Sequence, residues 1–121
     1  MARILVIDDQ EPIRRIVRRT LEHEGHDVGE ASDGKMGVHL LRQDGAAIVI
    51  SDIFMPGQDG IQTLLQIRRE FPGTKVLIMS GGDTTGQLDL REGVELLGAV
   101  QTLQKPFSAR ALIDAVNSAL A

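Results

Sequence analysis

The chain alternates short apolar segments with longer stretches in which apolar residues recur every three or four positions. The short segments predict β-strands, and the longer stretches predict amphipathic helices. The predicted strands are Arg3–Ile7, Asp27–Ala31, Ala47–Ser51, Lys75–Met79 and Ala99–Leu103. The first, third and fourth contain the apolar runs "ILVI", "AIVI" and "VLIM", which are typical of strands buried on both faces of a parallel sheet. The second and fifth are more polar, which suits the edges of that sheet.

Helices are predicted between the strands. Pro12 suits the first turn of the first helix. Ser32 is predicted to cap a second helix that extends to about Arg42, and Asp59 to cap a third that extends to Phe71. The apolar face of the first helix is predicted to comprise Ile13, Ile16, Val17, Thr20 and Leu21.

Two further helices are predicted towards the end of the chain. One, rich in glycine at its start, is predicted to become helical only near Leu88. The last opens at Ser108 and is predicted to bury Leu112, Ile113, Val116 and Leu120. Five βα units then imply a single domain, residues 1–121, with a parallel sheet and helices on both of its faces.

Composition narrows the class of protein. The chain has 42% hydrophobic and 25% charged residues, as a globular domain does, and a net charge of −4 that disfavours direct nucleic-acid binding. It has no cysteine, which excludes disulfides, thiolate catalysis and cysteine-ligated zinc. No signal peptide is recognisable, and no apolar run approaches the ~18 residues of a membrane span. We therefore expect a cytoplasmic domain that makes no membrane contact.

Polar residues whose side chains could bind a ligand or take part in catalysis follow the predicted strands. Asp8 and Asp9 follow the first strand, Asp52 the third, Ser80 the fourth, and Lys105 the fifth. The carboxyl ends of parallel strands meet at one edge of a sheet, where ligands bind in such folds. Carboxylates crowded there need a cationic partner, and Mg²⁺ is a hard cation that takes a few carboxylates and keeps several waters. With a lysine and a hydroxyl nearby, the pattern predicts phosphoryl transfer to a carboxylate.

Each of these residues has a simpler interpretation when it is taken alone. An acid after a strand is usually a helix cap or a solvated turn residue, and single lysines and serines usually lie at the surface. The prediction of a site depends on their joint placement at the ends of successive strands.

Four motifs, in this order, resemble those of the response-regulator receiver domain of two-component signalling. They are the acidic pair Asp8-Asp9, "SDIFMPGQDG" around Asp52, "MSGG" with Ser80, and "KPF" at Lys105. The resemblance runs essentially from end to end of the chain. It implies an α/β fold of the flavodoxin-like (βα)5 type, a three-layer sandwich whose parallel strands lie in the order 2-1-3-4-5.

The resemblance also implies roles for the acids. Asp52 would be the nucleophile that takes a phosphoryl group from a phosphohistidine. Asp9 and Asp52, together with the backbone carbonyl of Phe54, would bind Mg²⁺, and Asp8 would act mainly through metal-bound water.

The same resemblance implies roles for the residues after the fourth and fifth strands. Lys105 would pair with the phosphoryl oxygens, aimed by a cis peptide bond to Pro106. Ser80 would hydrogen-bond the phosphoryl group and signal its presence to the face of the predicted fourth helix and fifth strand.

Partners follow from the resemblance as well. A histidine kinase or a histidine phosphotransfer protein would supply the phosphoryl group, and a downstream protein, which the sequence does not identify, would receive the signal. A homodimer that forms on phosphorylation is a further alternative. The domain would catalyse its own phosphorylation and dephosphorylation, so the term enzyme applies only loosely to what is mainly a signalling protein.

Three positions depart from the commonest receiver pattern. Thr102 stands three residues before Lys105, where many receivers have Tyr or Phe, and the chain has no Tyr or Trp. Phe54 stands where a polar residue is more usual. The segment between Ser80 and Lys105 is longer than in compact receivers.

Three other functions compete with phosphoacceptance. A flavodoxin-like cofactor binder is disfavoured by the acids and by the lack of Tyr and Trp. A phosphatase with an aspartate nucleophile normally has a second acid where this chain has Phe54. A degenerate receiver that acts as an unphosphorylated interaction module is the strongest alternative.

An arginine-rich surface is predicted on the outer face of the first helix, made up of Arg14, Arg15, Arg18 and Arg19. Such a surface could steer an acidic partner. Neutralisation of the arginines by Glu11 and Glu22 is the favoured interpretation.

Overall fold

A computed structural model describes residues 1–53, 60–80 and 101–121. Within these residues the strands form one sheet in the order β2-β1-β3-β4-β5, and every neighbouring pair is parallel. The strands are β1 (Arg3–Ile7), β2 (Asp27–Ala31), β3 (Ile48–Asp52), β4 (Lys75–Ser80) and β5 (Gln101–Gln104). The predicted flavodoxin-like order is therefore confirmed, with the two more polar strands at the edges.

Helices cover both faces of the sheet. In the described residues they are α1 (Glu11–His23), α2 (Gly34–Asp44), α3 (Gly60–Glu70) and α4 (Ala109–Leu120). Successive side chains of a strand point to opposite faces. Thus Val6 packs in a cluster with residues of α1 and α4, whereas Ile7 packs in a cluster with residues of α2 and α3. No helix in these three ranges is long and apolar enough to cross a membrane.

The central strands end later than the sequence predicted. β3 runs from Ile48 to Asp52 rather than from Ala47 to Ser51, and β4 continues to Ser80. The reason is pairing, because Asp52 lies opposite Met79 in the ladder and Ser80 opposite Gln104. Both polar residues are consequently held by the sheet itself. For β5, the predicted start at residues 99–100 lies outside the described residues.

The start and end of α2 also differ from the prediction. Asp33, not Ser32, caps the helix, since its carboxylate accepts a hydrogen bond of 2.8 Å from the main-chain N–H of Met36. The helix continues past Arg42 to Asp44. Ser and Asp are both good caps, so the sequence alone did not fix which of the two neighbours would serve.

The predictions for the start of α1 and of α4 are confirmed. Ser108 caps α4 as predicted, accepting a hydrogen bond of 3.0 Å from the N–H of Ala111. Pro12 lies in the first turn of α1, as predicted. The predicted cap at Asp59 and the predicted helix near Leu88 lie outside the described residues.

Two apolar residues predicted to face inward are exposed. Ile16 of α1 is 56% exposed, while its neighbour Val17 is fully buried. Leu120 of α4 is 39% exposed, while Ala119 is buried in its place. Neighbouring helical positions differ by about 100° in direction, so Ile16 and Leu120 fall outside the stripe that buries Val17 and Ala119.

Gly60 allows α3 to begin directly behind the end of β3. Its N–H donates a hydrogen bond of 2.8 Å to the carbonyl of Ile53. A methyl group on Gly60 would lie 2.3 Å from the Cα of Ile53 and 2.4 Å from the carbonyl oxygen of Asp52. Main-chain atoms cannot rotate away as a side chain can.

We expect Gly60→Ala to lower the free energy of unfolding by about 2 kcal/mol, because the clash must be relieved by moving backbone. Gly73→Ala is the matched control, since a methyl group there would meet nothing within 4 Å, and it should change stability by less than about 0.5 kcal/mol. Urea denaturation of both variants measures the difference. Equal stabilities of the two variants would show that Gly60 is not packed tightly against the main chain of Ile53.

Candidate functional site

The sheet brings the predicted site residues to one edge. Asp8 follows β1, Asp52 ends β3, Ser80 ends β4, and Lys105 follows β5. Because β1, β3, β4 and β5 are successive neighbours in the sheet, these positions lie side by side at the carboxyl edge. The convergence predicted from the positions of these residues at the carboxyl ends of the strands is present in the structure.

Three acids form a compact cluster at this edge. One carboxylate oxygen each from Asp8, Asp9 and Asp52 lies within 4.8 Å of the others. Asp8 is fully buried and Asp52 is 7% exposed, whereas Asp9 faces solvent. An all-oxygen donor set of this kind suits a hard divalent cation such as Mg²⁺. The further predicted ligand, the carbonyl of Phe54, lies outside the described residues.

Lys105 lies between two of these acids. Its Nζ donates hydrogen bonds to Oδ2 of Asp8 at 2.7 Å and to Oδ2 of Asp52 at 3.2 Å. Burial lowers the pKa of Lys105, but the hydrogen bond to Asp8 and the charge of Asp52 outweigh it, so the pKa is raised above 10.5. The ammonium therefore stays charged at neutral pH. Sequence reasoning paired Lys105 only with phosphoryl oxygens and missed its bond to Asp8.

The main chain at Lys105 is joined to the neighbouring strand end. The N–H of Lys105 donates a hydrogen bond of 2.8 Å to the carbonyl of Ser80, which ties the end of β5 to the end of β4. The peptide bond from Lys105 to Pro106 is cis, as predicted. Ser80 and Lys105 are thus coupled through the backbone.

Hydrogen bonds to both the main chain and the side chain of Asp8 hold this residue, in addition to its bond with Lys105. Its N–H donates to the carbonyl of Ala31 at 3.1 Å, and its Oδ1 accepts from the N–H of Gln10 at 2.9 Å. Its carbonyl accepts a hydrogen bond of 2.7 Å from Nη1 of Arg14. The sequence placed Arg14 on the outer face of α1 and missed this contact. The one sequence signal for an inward-facing arginine was Glu30, an acid within the predicted second strand, which pairs with Arg14 in the structure.

The other arginines of α1 behave largely as predicted. Arg15 pairs with Glu11, and Arg18 pairs with Glu22 at 3.0 Å. The expected neutralisation of this helix face is confirmed for these two pairs.

The structure therefore combines a parallel sheet covered on both faces with an acidic cluster and a lysine at its carboxyl edge. The chain matches the family model of the response regulator receiver domain over residues 4–117. The chain belongs to this family.

Solved structures agree with this assignment. A response regulator receiver domain protein from Clostridium thermocellum is 33% identical, with 99% of this chain and 94% of that one covered, at a TM-score of 0.89. The chemotaxis protein CheY4 of Vibrio cholerae is 26% identical over 98% of both chains, also at 0.89. NtrX from Brucella abortus, solved in complex with ADP, is 30% identical at a TM-score of 0.91. The match covers 98% of this chain but only 27% of that NtrX chain.

We expect Mg²⁺ to stabilise the protein, because it binds the assembled acids far better than the unfolded chain. At ten times its Kd the gain is about 1.4 kcal/mol, or several degrees in Tm. Asp52→Ala should gain much less, whereas Asp114→Ala, which removes an exposed carboxylate on α4, should respond like the wild type. Melting curves in EDTA and in excess Mg²⁺ at matched ionic strength measure this. An undiminished response in Asp52→Ala would exclude Asp52 as a ligand.

Lys105→Met should destabilise the metal-free protein by about 2 kcal/mol near pH 8, because a buried Asp8 loses its cationic partner. The pKa of Lys105 is raised on folding, so its contribution is complete below pH 10.5 and is lost as the pH rises through the folded value. The stability difference between wild type and Lys105→Met should therefore shrink above pH 10.5. Denaturation in EDTA from pH 8 to pH 11.5 measures it, and a constant difference would contradict the assignment.

Proposed function

We propose that this domain accepts a phosphoryl group on Asp52 from the phosphohistidine of a kinase or phosphotransfer protein. In this proposal it signals through protein contacts that change with phosphorylation. The observation that supports it most is the position of Asp52, which ends a central strand beside two further acids and has a carboxylate oxygen 3.2 Å from the ammonium of Lys105.

In the transfer step, a carboxylate oxygen of Asp52 would attack phosphorus. An O–P bond forms, the N–P bond of the phosphohistidine breaks, and its electron pair returns to the imidazole nitrogen. An anionic phosphoryl group must enter an edge that is already anionic, so positive charge is the main requirement. Lys105 supplies one such charge within reach of Asp52, and a lysine ammonium can turn from a carboxylate to a phosphoryl oxygen.

Metal binding would supply the rest of the charge. Asp9, Asp52 and the carbonyl of Phe54 would hold Mg²⁺, with Asp8 acting through water. Once bound, the cation would offset repulsion between the carboxylates and the incoming phosphoryl oxygens. The closeness of the three carboxylates supports this ligand set.

Ser80 would report the modification. Its hydroxyl would hydrogen-bond the phosphoryl group, and its carbonyl is bonded to the N–H of Lys105, so the two responding residues move together. Thr102 lies in β5 opposite Ile78 and is only partly buried. Without an aromatic ring at that position, the proposed switch depends on Ser80. The molecule that responds to the signal would be another protein or a second copy of this chain, in the cytoplasm.

We expect the intact protein to gain one phosphoryl mass when it is incubated with acetyl phosphate and Mg²⁺. Asp52→Asn should abolish the gain, because the amide is a poor nucleophile, and EDTA should abolish it in the wild type. Asp114→Asn, an exposed position outside the site, is the control that should still label. Mass spectrometry measures all four samples.

Labelling of Asp52→Asn would contradict the proposed acceptor. An unlabelled wild type would instead favour a degenerate receiver that works as an interaction module without phosphorylation.

A further inference from the structure

Arg14 bridges three elements beside the acidic cluster. It lies in α1, and its side chain is only 15% exposed. Its Nη1 donates a hydrogen bond of 2.7 Å to the main-chain carbonyl of Asp8, and its Nε lies 3.2 Å from Oε1 of Glu30 in β2. The guanidinium therefore joins α1 and β2 to the backbone that leaves β1.

Glu30 anchors this guanidinium. Its second oxygen accepts a hydrogen bond of 3.0 Å from Nη1 of Arg18. The hydrogen bond from Arg18, assisted by that from Arg14, outweighs burial and lowers the pKa of Glu30. Glu30 is thus ionised at neutral pH, and two planar cations hold it in place.

The carbonyl that Arg14 binds belongs to the peptide group between Asp8 and Asp9. A peptide group is planar, so fixing its oxygen fixes the orientation of the plane and the direction in which the chain enters Asp9. Within the described part of the chain, the carboxylate of Asp9 forms no hydrogen bond or ion pair. The backbone of Asp9 therefore sets the direction of its Cα–Cβ bond, and with it the region of space that its carboxylate can reach.

We propose that Arg14 is a positioning residue for the metal site, which holds the Asp8-Asp9 peptide so that the carboxylate of Asp9 meets Mg²⁺. This inference depends on the proposed function only for the presence of Mg²⁺ at the acids. Partners that orient metal ligands without touching the metal typically contribute 10–100-fold to affinity.

Whether Mg²⁺ binding weakens or strengthens when Arg14 is replaced separates positioning from simple electrostatics. Removing a cation close to a cation site should strengthen Mg²⁺ binding if charge alone mattered. Loss of positioning should weaken it. Arg18 offers a matched control, because it binds the same Glu30 and carries the same charge but has no hydrogen bond to Asp8.

We expect Arg14→Met to raise the Kd for Mg²⁺ about tenfold. Arg18→Met should leave the Kd within about twofold of wild type or lower it. Arg14→Lys cannot bind both partners as the guanidinium does, so its Kd should rise. Because the lysine keeps the charge and one donor group, the rise should be only about threefold. The chain has no Trp or Tyr, so isothermal titration calorimetry with MgCl2 provides the measurement.

A second readout uses acetyl phosphate labelling at increasing Mg²⁺. The rate for Arg14→Met should approach that of the wild type when Mg²⁺ is saturating, because only the affinity is impaired. A rate that stays low at saturation would mean that Arg14 acts on the chemistry or the fold, and would overturn the proposal.

Further results would also overturn it. One is a Kd for Mg²⁺ in Arg14→Met equal to that of the wild type. Another is an equal loss of Mg²⁺ affinity in Arg14→Met and Arg18→Met. The last is a Kd for Arg14→Lys that is no lower than that of Arg14→Met. If Arg14→Met does not fold, equal Kd values for Arg14→Lys and Arg18→Lys would overturn it. Because the titrations contain no phosphoryl donor, a wild type that binds Mg²⁺ but does not label would refute the proposed function alone.

Discussion

The site depends on one charge balance, in which the ammonium of Lys105 lies between the carboxylates of Asp8 and Asp52. Asp8 is fully buried, and a buried carboxylate without a partner would be too costly to keep ionised. The lysine makes that burial tolerable, yet it neutralises only part of the negative charge. The edge is thus stable enough to fold and still attractive to further positive charge, which is the condition for binding a metal and an anionic phosphoryl group together.

The sheet provides the geometry that this balance needs. Parallel strands end at a common edge, and Asp52 and Ser80 belong to the strand ladder itself. Their backbone positions are therefore as rigid as the sheet. Lys105 and the Asp8-Asp9 pair lie just beyond their strands, and each is held there by hydrogen bonds to neighbouring main-chain groups or to Arg14. The carboxyl edge thus combines two residues of the strand ladder with residues that hydrogen bonds hold just beyond it.

Most of the architecture could be predicted because it follows from local patterns. Apolar runs identified the buried strands, their polarity identified the edges, and placement directly after the strands identified the residues at the carboxyl edge. The strand order was predicted only through the resemblance to receiver domains. What failed depended on tertiary packing: the choice of Asp33 over Ser32 as a cap, and the slight rotation that exposes Ile16 and Leu120. The contact of Lys105 with Asp8 joins positions that are distant in the chain, and the contact of Arg14 with the Asp8 carbonyl depends on how α1 packs beside β1 and β2, so the apolar pattern along the chain encodes neither.

The bond between Asp8 and Lys105 connects positions that are 97 residues apart. During synthesis, the first strand and its acids leave the ribosome long before the lysine that accompanies them. A nascent or prematurely ended chain has Asp8 and Asp52 but lacks the cation that lies beside them in the folded domain. The charge balance at the carboxyl edge is thus complete only when almost the whole domain has emerged and folded.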